Sequence, residues 1–205
     1  MFNFLLDLIF PRFCVGCNKF GKYFCQECLK KIRFYSNLIS PDYHCPENLD
    51  GIFVLAHYDG IIRKAIKEVK YRGKYAILSE LAEMFPKEFN FNFNYLVPVP
   101  LSKKRLTDRG FNQAEKLAKY LKLAPILNCL KRTRDTKPQF DLKMFERREN
   151  VKNAFIHNSR FIIHNSKVCL VDDVATTGST LSECAKVLKS AGASKVYAIC
   201  VARGN

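Results

Sequence analysis

Two adjacent carboxylates, Asp172 and Asp173, stand immediately before a run of small and hydroxylated residues: Val174, Ala175, Thr176, Thr177, Gly178, Ser179 and Thr180. The apolar stretch Val168 to Val171 precedes them. It has the length of a strand buried in a parallel sheet, and this reading ends the strand where the carboxylates begin. Beyond the run, Leu181, Cys184, Ala185 and Leu188 recur at helical spacing. The order is strand, loop, helix N-terminus. Such a helix end offers unpaired backbone N–H groups and a partial positive charge, which suit a phosphate. Gly178 lets a ligand approach the backbone, and the threonines and serine add hydroxyl donors. The spacing and the lysine of a Walker A loop are missing. Carboxylates repel a phosphate but suit the vicinal hydroxyls of a sugar, or a hydrated Mg²⁺. The stretch therefore reads as a site for a ribose 5-phosphate. An acidic cap ahead of an ordinary helix is the plainer reading, and it does not account for so long a pattern.

A second group with chemistry is cysteine. Cys14 and Cys17 form one CxxC knuckle, and Cys25 and Cys28 form another seven residues on. Each knuckle presents two thiolates to one tetrahedral ion, and a segment this short has no core of its own, so metal binding supplies its folding energy. The expected ion is structural Zn²⁺; a redox pair or buried thiols are the alternatives. His44 and Cys45 follow as spare candidates, but four cysteines already close a tetrahedral site. Cys129, Cys169, Cys184 and Cys200 read as small buried residues. The cysteine count is nine, an odd number, and the start of the chain has no basic region and is interrupted at Asp7. A reducing cytoplasm is the inferred setting, with metal binding preferred over disulfides. No apolar run reaches membrane-spanning length. Residues 1–10 read as an amphipathic helix closed by Pro11 and packed on the cysteine module; peripheral attachment to the inner membrane is the lesser alternative, since the segment has no Lys or Arg to hold acidic lipid.

The net charge is +15, and +10 of it falls in residues 51–150, so the excess is central and not a tail. A folded basic face implies a polyanionic partner, nucleic acid among them. Between Lys103 and Lys137 there are eleven basic and three acidic residues, read as irregular segments forming a cationic rim around the phosphate loop, with solvated helix faces and a loop as the plainer alternative. Phe13, Phe20, Tyr23 and Phe24 either pack the cysteine module or offer stacking faces to a single strand.

These groups need elements to hold them. Ile52 to Tyr58 is expected as a strand, Gly60 to Lys70 and Ala76 to Phe85 as helices, and Tyr95 to Pro98 as a short strand. Pro98 and Pro100 lack backbone donors, so that strand ends there or lies at a sheet edge. A helix is expected from about Asn112, a hairpin-like pair of strands across Ala154 to Ile163, and a last strand from Lys195 to Ala202. Strand–helix alternation predicts an α/β fold with a parallel sheet, whose ligands sit at the carboxyl ends of the strands. The expected organisation is a small module over 1–45 and a larger domain over 46–205.

The thirteen residues VCLVDDVATTGST resemble the phosphoribosyl pyrophosphate (PRPP) motif of type I phosphoribosyltransferases. That resemblance implies that Asp172 and Asp173 bind the ribose hydroxyls as the catalytic carboxylates and that the residues through Thr180 cradle the 5-phosphate. Further segments narrow it: Tyr58-Asp-Gly-Ile-Ile-Arg63, Lys70-Tyr-Arg-Gly73, Val97-Pro-Val-Pro-Leu101, Arg105 to Ala114, Arg132, Gln139, Arg147 to Val151, and Ala154-Phe155. With the two CxxC knuckles, the whole chain resembles the ComF family of competence proteins. This implies a four-cysteine zinc finger joined to a type I phosphoribosyltransferase-like parallel sheet, acting in natural transformation on single-stranded DNA brought into the cytoplasm. It also implies that Leu101 and Ser102 lie beside pyrophosphate, and that residues 131–148 form a loop closing over PRPP and Mg²⁺. Gln139 and Arg147 would be that loop's contacts, with Arg105 and Arg109 in the same pyrophosphate set.

Two functions follow. One is a DNA-handling protein with a PRPP-binding domain, with Lys103, Lys104 and Arg105 on the strand and DNA-uptake or recombination proteins as partners. The other is an active phosphoribosyltransferase acting on an unidentified nucleobase or other acceptor without direct DNA contact. No residue in the sequence identifies the acceptor.

Overall fold

The structure, a computed structural model, describes residues 11–35, 45–86, 92–135 and 144–204. The expected N-terminal helix, His44 and Gln139 lie outside these residues. The cysteine knuckles come first, with one short helix, α1 (Gln26–Leu29). Strand β1 (Gly51–His57) and helices α2 (Gly60–Arg72) and α3 (Ile77–Glu83) follow. Next are β2 (Tyr95–Pro98), α4 (Lys103–Arg109), α5 (Gln113–Leu121) and β3 (Leu130–Arg132). The chain continues through α6 (Met144–Val151), β4 (Phe155–His157), β5 (Lys167–Ala175), α7 (Ser179–Ser190) and β6 (Lys195–Arg203).

Four strands form one sheet in the order β1-β6-β5-β2, and every pairing is parallel. β5 and β6 are its centre and are buried on both faces, which is why they read as continuous apolar runs. Pro98 pairs with Val171 on β2, at the sheet edge, where a missing donor leaves no ladder bond unmade. Side chains alternate along β5. Cys169 and Val171 face a core built with Ile62, Ile66 and Val69 of α2, Leu78 and Leu81 of α3, and Leu117 of α5. Val168 and Leu170 face the other layer, with Leu181, Cys184 and Leu188 of α7 and Phe155 of β4. Each fully buried Leu, Ile or Phe stabilises the sandwich by roughly 1.5–3 kcal/mol. All four cysteines expected inside are buried.

The cysteine module is joined to this body. Phe24 and Ile32 lie in the first core. Both carboxylate oxygens of Glu80 on α3 are used, accepting from the Tyr23 and Phe24 N–H groups at 3.1 and 3.0 Å. Beyond α1, Phe34 bridges Ala56 antiparallel on the outer side of β1.

Three expectations are corrected. β5 does not end before the carboxylates but runs through them to Ala175, because β6 continues as its partner to Arg203. Lys103 to Arg109 is a helix, not an irregular segment: it buries none of its residues, so it leaves no apolar period to detect. Ala154 to Ile163 is not a hairpin. Phe155 to His157 pairs instead with Leu130 to Arg132, antiparallel, across the intervening residues. The stretch 131–148, expected as a loop, is strand at 131–132 in β3 and helix at 144–148 in α6.

Candidate functional site

Asp172 and Asp173 lie side by side inside β5, with their carboxylates close enough to act on each other and both acting on Lys70. Asp173 is 3% exposed, on the α2 side, and its Oδ2 is 2.8 Å from Nζ of Lys70. Asp172 is half-buried, and its Oδ1 accepts from the Asp173 N–H at 2.8 Å. Burial and the adjacent Asp173 carboxylate push Asp172 up to about 7, against the opposing pull of Lys70. Burial alone would lower the Lys70 ammonium, but Asp173 and then Asp172 outweigh it and hold the lysine above its ordinary value.

Three arginines add positive potential. Burial pulls Arg109 below its ordinary value, opposed by Asp173, Tyr71 and Asp172. Its guanidinium donates to Oε1 of Gln113, which is 4% exposed. Burial and Arg105 lower Arg132, whose guanidinium lies 5.3 Å from the centre of the Phe155 ring. Asp172 also acts on Arg132, so the carboxylates have Lys70, Arg109 and Arg132 as cationic neighbours.

α4 sorts the expected pyrophosphate and DNA residues. Ser102, 3% exposed, caps the helix, its Oγ accepting from the Arg105 N–H at 3.5 Å. Arg105 and Arg109 are half-buried, whereas Lys103 and Lys104 face solvent. Leu101 is half-buried just before the cap. Arg147 falls in α6, with its side chain outside what the structure describes.

The hydroxyl loop ends at Gly178, and α7 opens at Ser179. The Thr177 and Ser179 hydroxyl oxygens are 3.0 Å apart. Gly178 has φ +74°, and a Cβ there would come within 2.2 Å of Cγ of Pro46. The glycine therefore admits Pro46, a constraint that differs from the ligand approach expected of it. Asn48, on the same crossing segment, donates to the Ser182 hydroxyl at 3.3 Å. A shallow groove of about 440 Å³ between β4 and α7 is lined by none of these site residues.

The four knuckle sulfurs, of Cys14, Cys17, Cys25 and Cys28, all lie within 4.8 Å of one another. Cys17 and Cys25 Sγ are 3.6 Å apart, close to the ~3.8 Å edge of a tetrahedron with 2.3 Å metal–sulfur bonds. At Cys14, burial is outweighed by backbone N–H groups of Cys25, Cys17 and Gly16, which lower the thiol to about 6, while burial pushes Cys28 up to about 12. A Cβ on Gly16 would meet Cys28 Sγ at 2.5 Å, so the first knuckle needs glycine there. The donor set fits a closed structural metal site. The module's aromatic residues divide: Phe24 is core and Tyr23 packs against it, while Phe13 and Phe20 are exposed as an edge-to-face pair with centroids 5.9 Å apart.

Sequence reasoning missed Lys70, Gln113 and Arg132 as site residues, and Tyr71, which is exposed beside Arg109. A signal existed for Lys70: it lies four residues after Ile66, at the edge of the buried stripe of α2.

A parallel sheet with paired carboxylates on its central strand, followed by a hydroxyl loop and a helix N-terminus, defines a phosphoribosyltransferase-type domain, and the family model "Phosphoribosyl transferase domain" matches residues 106–205. The chain is 30% identical to "Competence protein F" of Haemophilus influenzae over 93% of its own length and 90% of that one, and it belongs to this competence protein (ComF) family. It is 31% identical to "DNA utilization protein YhgH" of Salmonella typhi over 87% of this chain and 77% of the relative. To "Competence protein ComFC" of Bacillus subtilis it is 30% identical, over 66% of this chain and 56% of the relative.

Proposed function

We propose that this protein handles incoming single-stranded DNA during natural transformation and that its phosphoribosyltransferase-type domain binds PRPP. The observation that carries the PRPP reading is the meeting of Asp172, Asp173, Lys70 and Arg109 beside the loop that opens α7. In this reading the vicinal ribose hydroxyls donate to the carboxylates, and the 5-phosphate rests on residues 174–180 and the α7 N-terminus. Arg105, Arg109 and Arg132 face the pyrophosphate, with Leu101 and Ser102 shaping that side. Mg²⁺, when bound with PRPP, neutralises pyrophosphate charge. The relatives' names, competence proteins and DNA utilization proteins, support the DNA reading, as does the solvent-facing pair Lys103 and Lys104 beside Arg105.

Zn²⁺ is the proposed ion at the four cysteines, with a structural role. The module over 1–45 and the domain over 46–205 are proposed as the two functional parts. Cytoplasmic action fits this reading, and no helix among the described residues is long and apolar enough to cross a membrane. DNA-uptake or recombination proteins are the proposed partners. A second reading, active phosphoribosyl transfer to a nucleobase or other acceptor, is favoured by both motif carboxylates being present with cations around them. In it, holding the ribose and stabilising the departing charge supply the catalysis.

Calorimetry with PRPP and Mg²⁺ tests the site. The wild type is expected to bind, and Asp172→Ala/Asp173→Ala to lose binding, since each charge-assisted hydrogen bond is worth about 1.5–3 kcal/mol. Equal affinity for both proteins would remove the site assignment.

A further inference from the structure

Lys70 reaches the site from the last turns of α2, a part of the chain about a hundred residues from the motif it touches. Its side chain is 22% exposed, and that of its partner Asp173 is 5% exposed. Two charges this sheltered persist only when paired, because desolvation of either alone costs several kcal/mol. Asp172 stands next in the chain, with one oxygen already accepting from the Asp173 N–H. Two adjacent carboxylates repel each other, and a ligand bringing phosphate adds more negative charge. A divalent cation is the usual remedy for such a cluster. Here the fold supplies a cation of its own, held 2.8 Å from Asp173, with Arg109 as a further positive neighbour.

Resting on the ribose-phosphate reading above, we infer that Lys70 is the resident cation of this site: it neutralises Asp173 and positions the carboxylate pair, so that a sugar phosphate with vicinal hydroxyls binds without a divalent metal. Mg²⁺ is then required only by the pyrophosphate that distinguishes PRPP from ribose 5-phosphate. Lys70 is a positioning residue, since it acts on the ligand through Asp173. A lysine serving the fold alone would change stability but not the metal dependence of binding.

The test uses the full chain with its zinc content checked, in buffer passed over a chelating resin, with Mg²⁺ omitted or in millimolar excess. Ribose 5-phosphate and PRPP are titrated by calorimetry into wild type, Lys70→Met and Lys70→Arg. Wild type is expected to bind ribose 5-phosphate within about twofold of the same affinity with and without Mg²⁺, and PRPP more tightly with it. Lys70→Met is expected to lose about tenfold or more for ribose 5-phosphate in metal-free buffer, as expected for removing one charged partner of a sheltered pair, and to regain most of it with Mg²⁺. Lys70→Arg keeps the charge and is expected to stay near wild type. Wild-type binding of ribose 5-phosphate that requires Mg²⁺, or Lys70→Met with wild-type affinity in its absence, overturns the inference while leaving the PRPP site standing. A wild type that binds neither ligand in either buffer overturns both. Should Lys70→Met fail to fold, the wild-type metal titration and Lys70→Arg decide the matter.

Discussion

Asp172 has the most informative titration in the molecule. Its ordinary value is 3.8, and in the folded chain it is pushed up to about 7, chiefly by burial and Asp173. The unfolded chain therefore releases this proton at lower pH than the folded one. Between about pH 4 and 7 the folded state holds more protons, so this group's contribution to stability falls as pH rises through that window. Ligand binding runs the other way, because the ionised form is the better acceptor for sugar hydroxyls. Affinity for ribose 5-phosphate should rise from pH 6 to 8, and Asp172→Asn should flatten both the binding profile and this part of the thermal-stability profile. Gly178 gives a second expectation: at φ +74° and with Pro46 against it, Gly178→Ala should destabilise by about 1–3 kcal/mol in chemical denaturation. At this scale the motif residues were legible because they are contiguous in the chain. Lys70 and Arg132 were not, because their relation to Asp172 and Asp173 exists only after α2 and β3 have packed around β5.

Elements were legible to the degree that they bury something. β5, β6, α2 and α7 show apolar runs or stripes, and each formed close to its expected position. α4 shows none, and only Ser102 at its start and Gly110 at its end mark it as a helix. The end of β5 was misplaced for the opposite reason: acidic residues are poor strand formers, yet Asp172 and Val174 pair with Cys200 and Ala202 of β6. That extension matters for the site, because it holds both carboxylates on a central strand of the sheet. Asp173 pairs with Lys70, and Asp172 accepts from the Asp173 N–H. The pairing of β3 with β4 links residues about twenty-five apart, which no local signal announces.

The cysteine module is part of the molecule's main core through Phe24, Ile32 and the two hydrogen bonds to Glu80. Loss of metal should therefore be felt beyond the knuckles. Cys14→Ser is expected to release zinc and to lower the melting temperature of the whole chain, read by calorimetric scanning with metal analysis. A module that loses zinc with no change in melting would contradict a structural role. The sign and central position of the charge were legible from composition, but its division was not: Arg105 and Arg109 are half-buried while Lys103 and Lys104 face solvent.

The solvent-facing side of α4 bears the central claim, that this competence-family protein handles single-stranded DNA. Fluorescence anisotropy of a labelled oligonucleotide, titrated at several salt concentrations, tests it most directly. Binding should be independent of sequence, and log K should fall with log salt at a slope of about −0.7 per phosphate contacted. Reversing Lys103, Lys104 and Arg105 to glutamate should weaken binding and flatten that slope. No detectable affinity at low salt, or an unchanged slope in the reversed protein, would contradict the account.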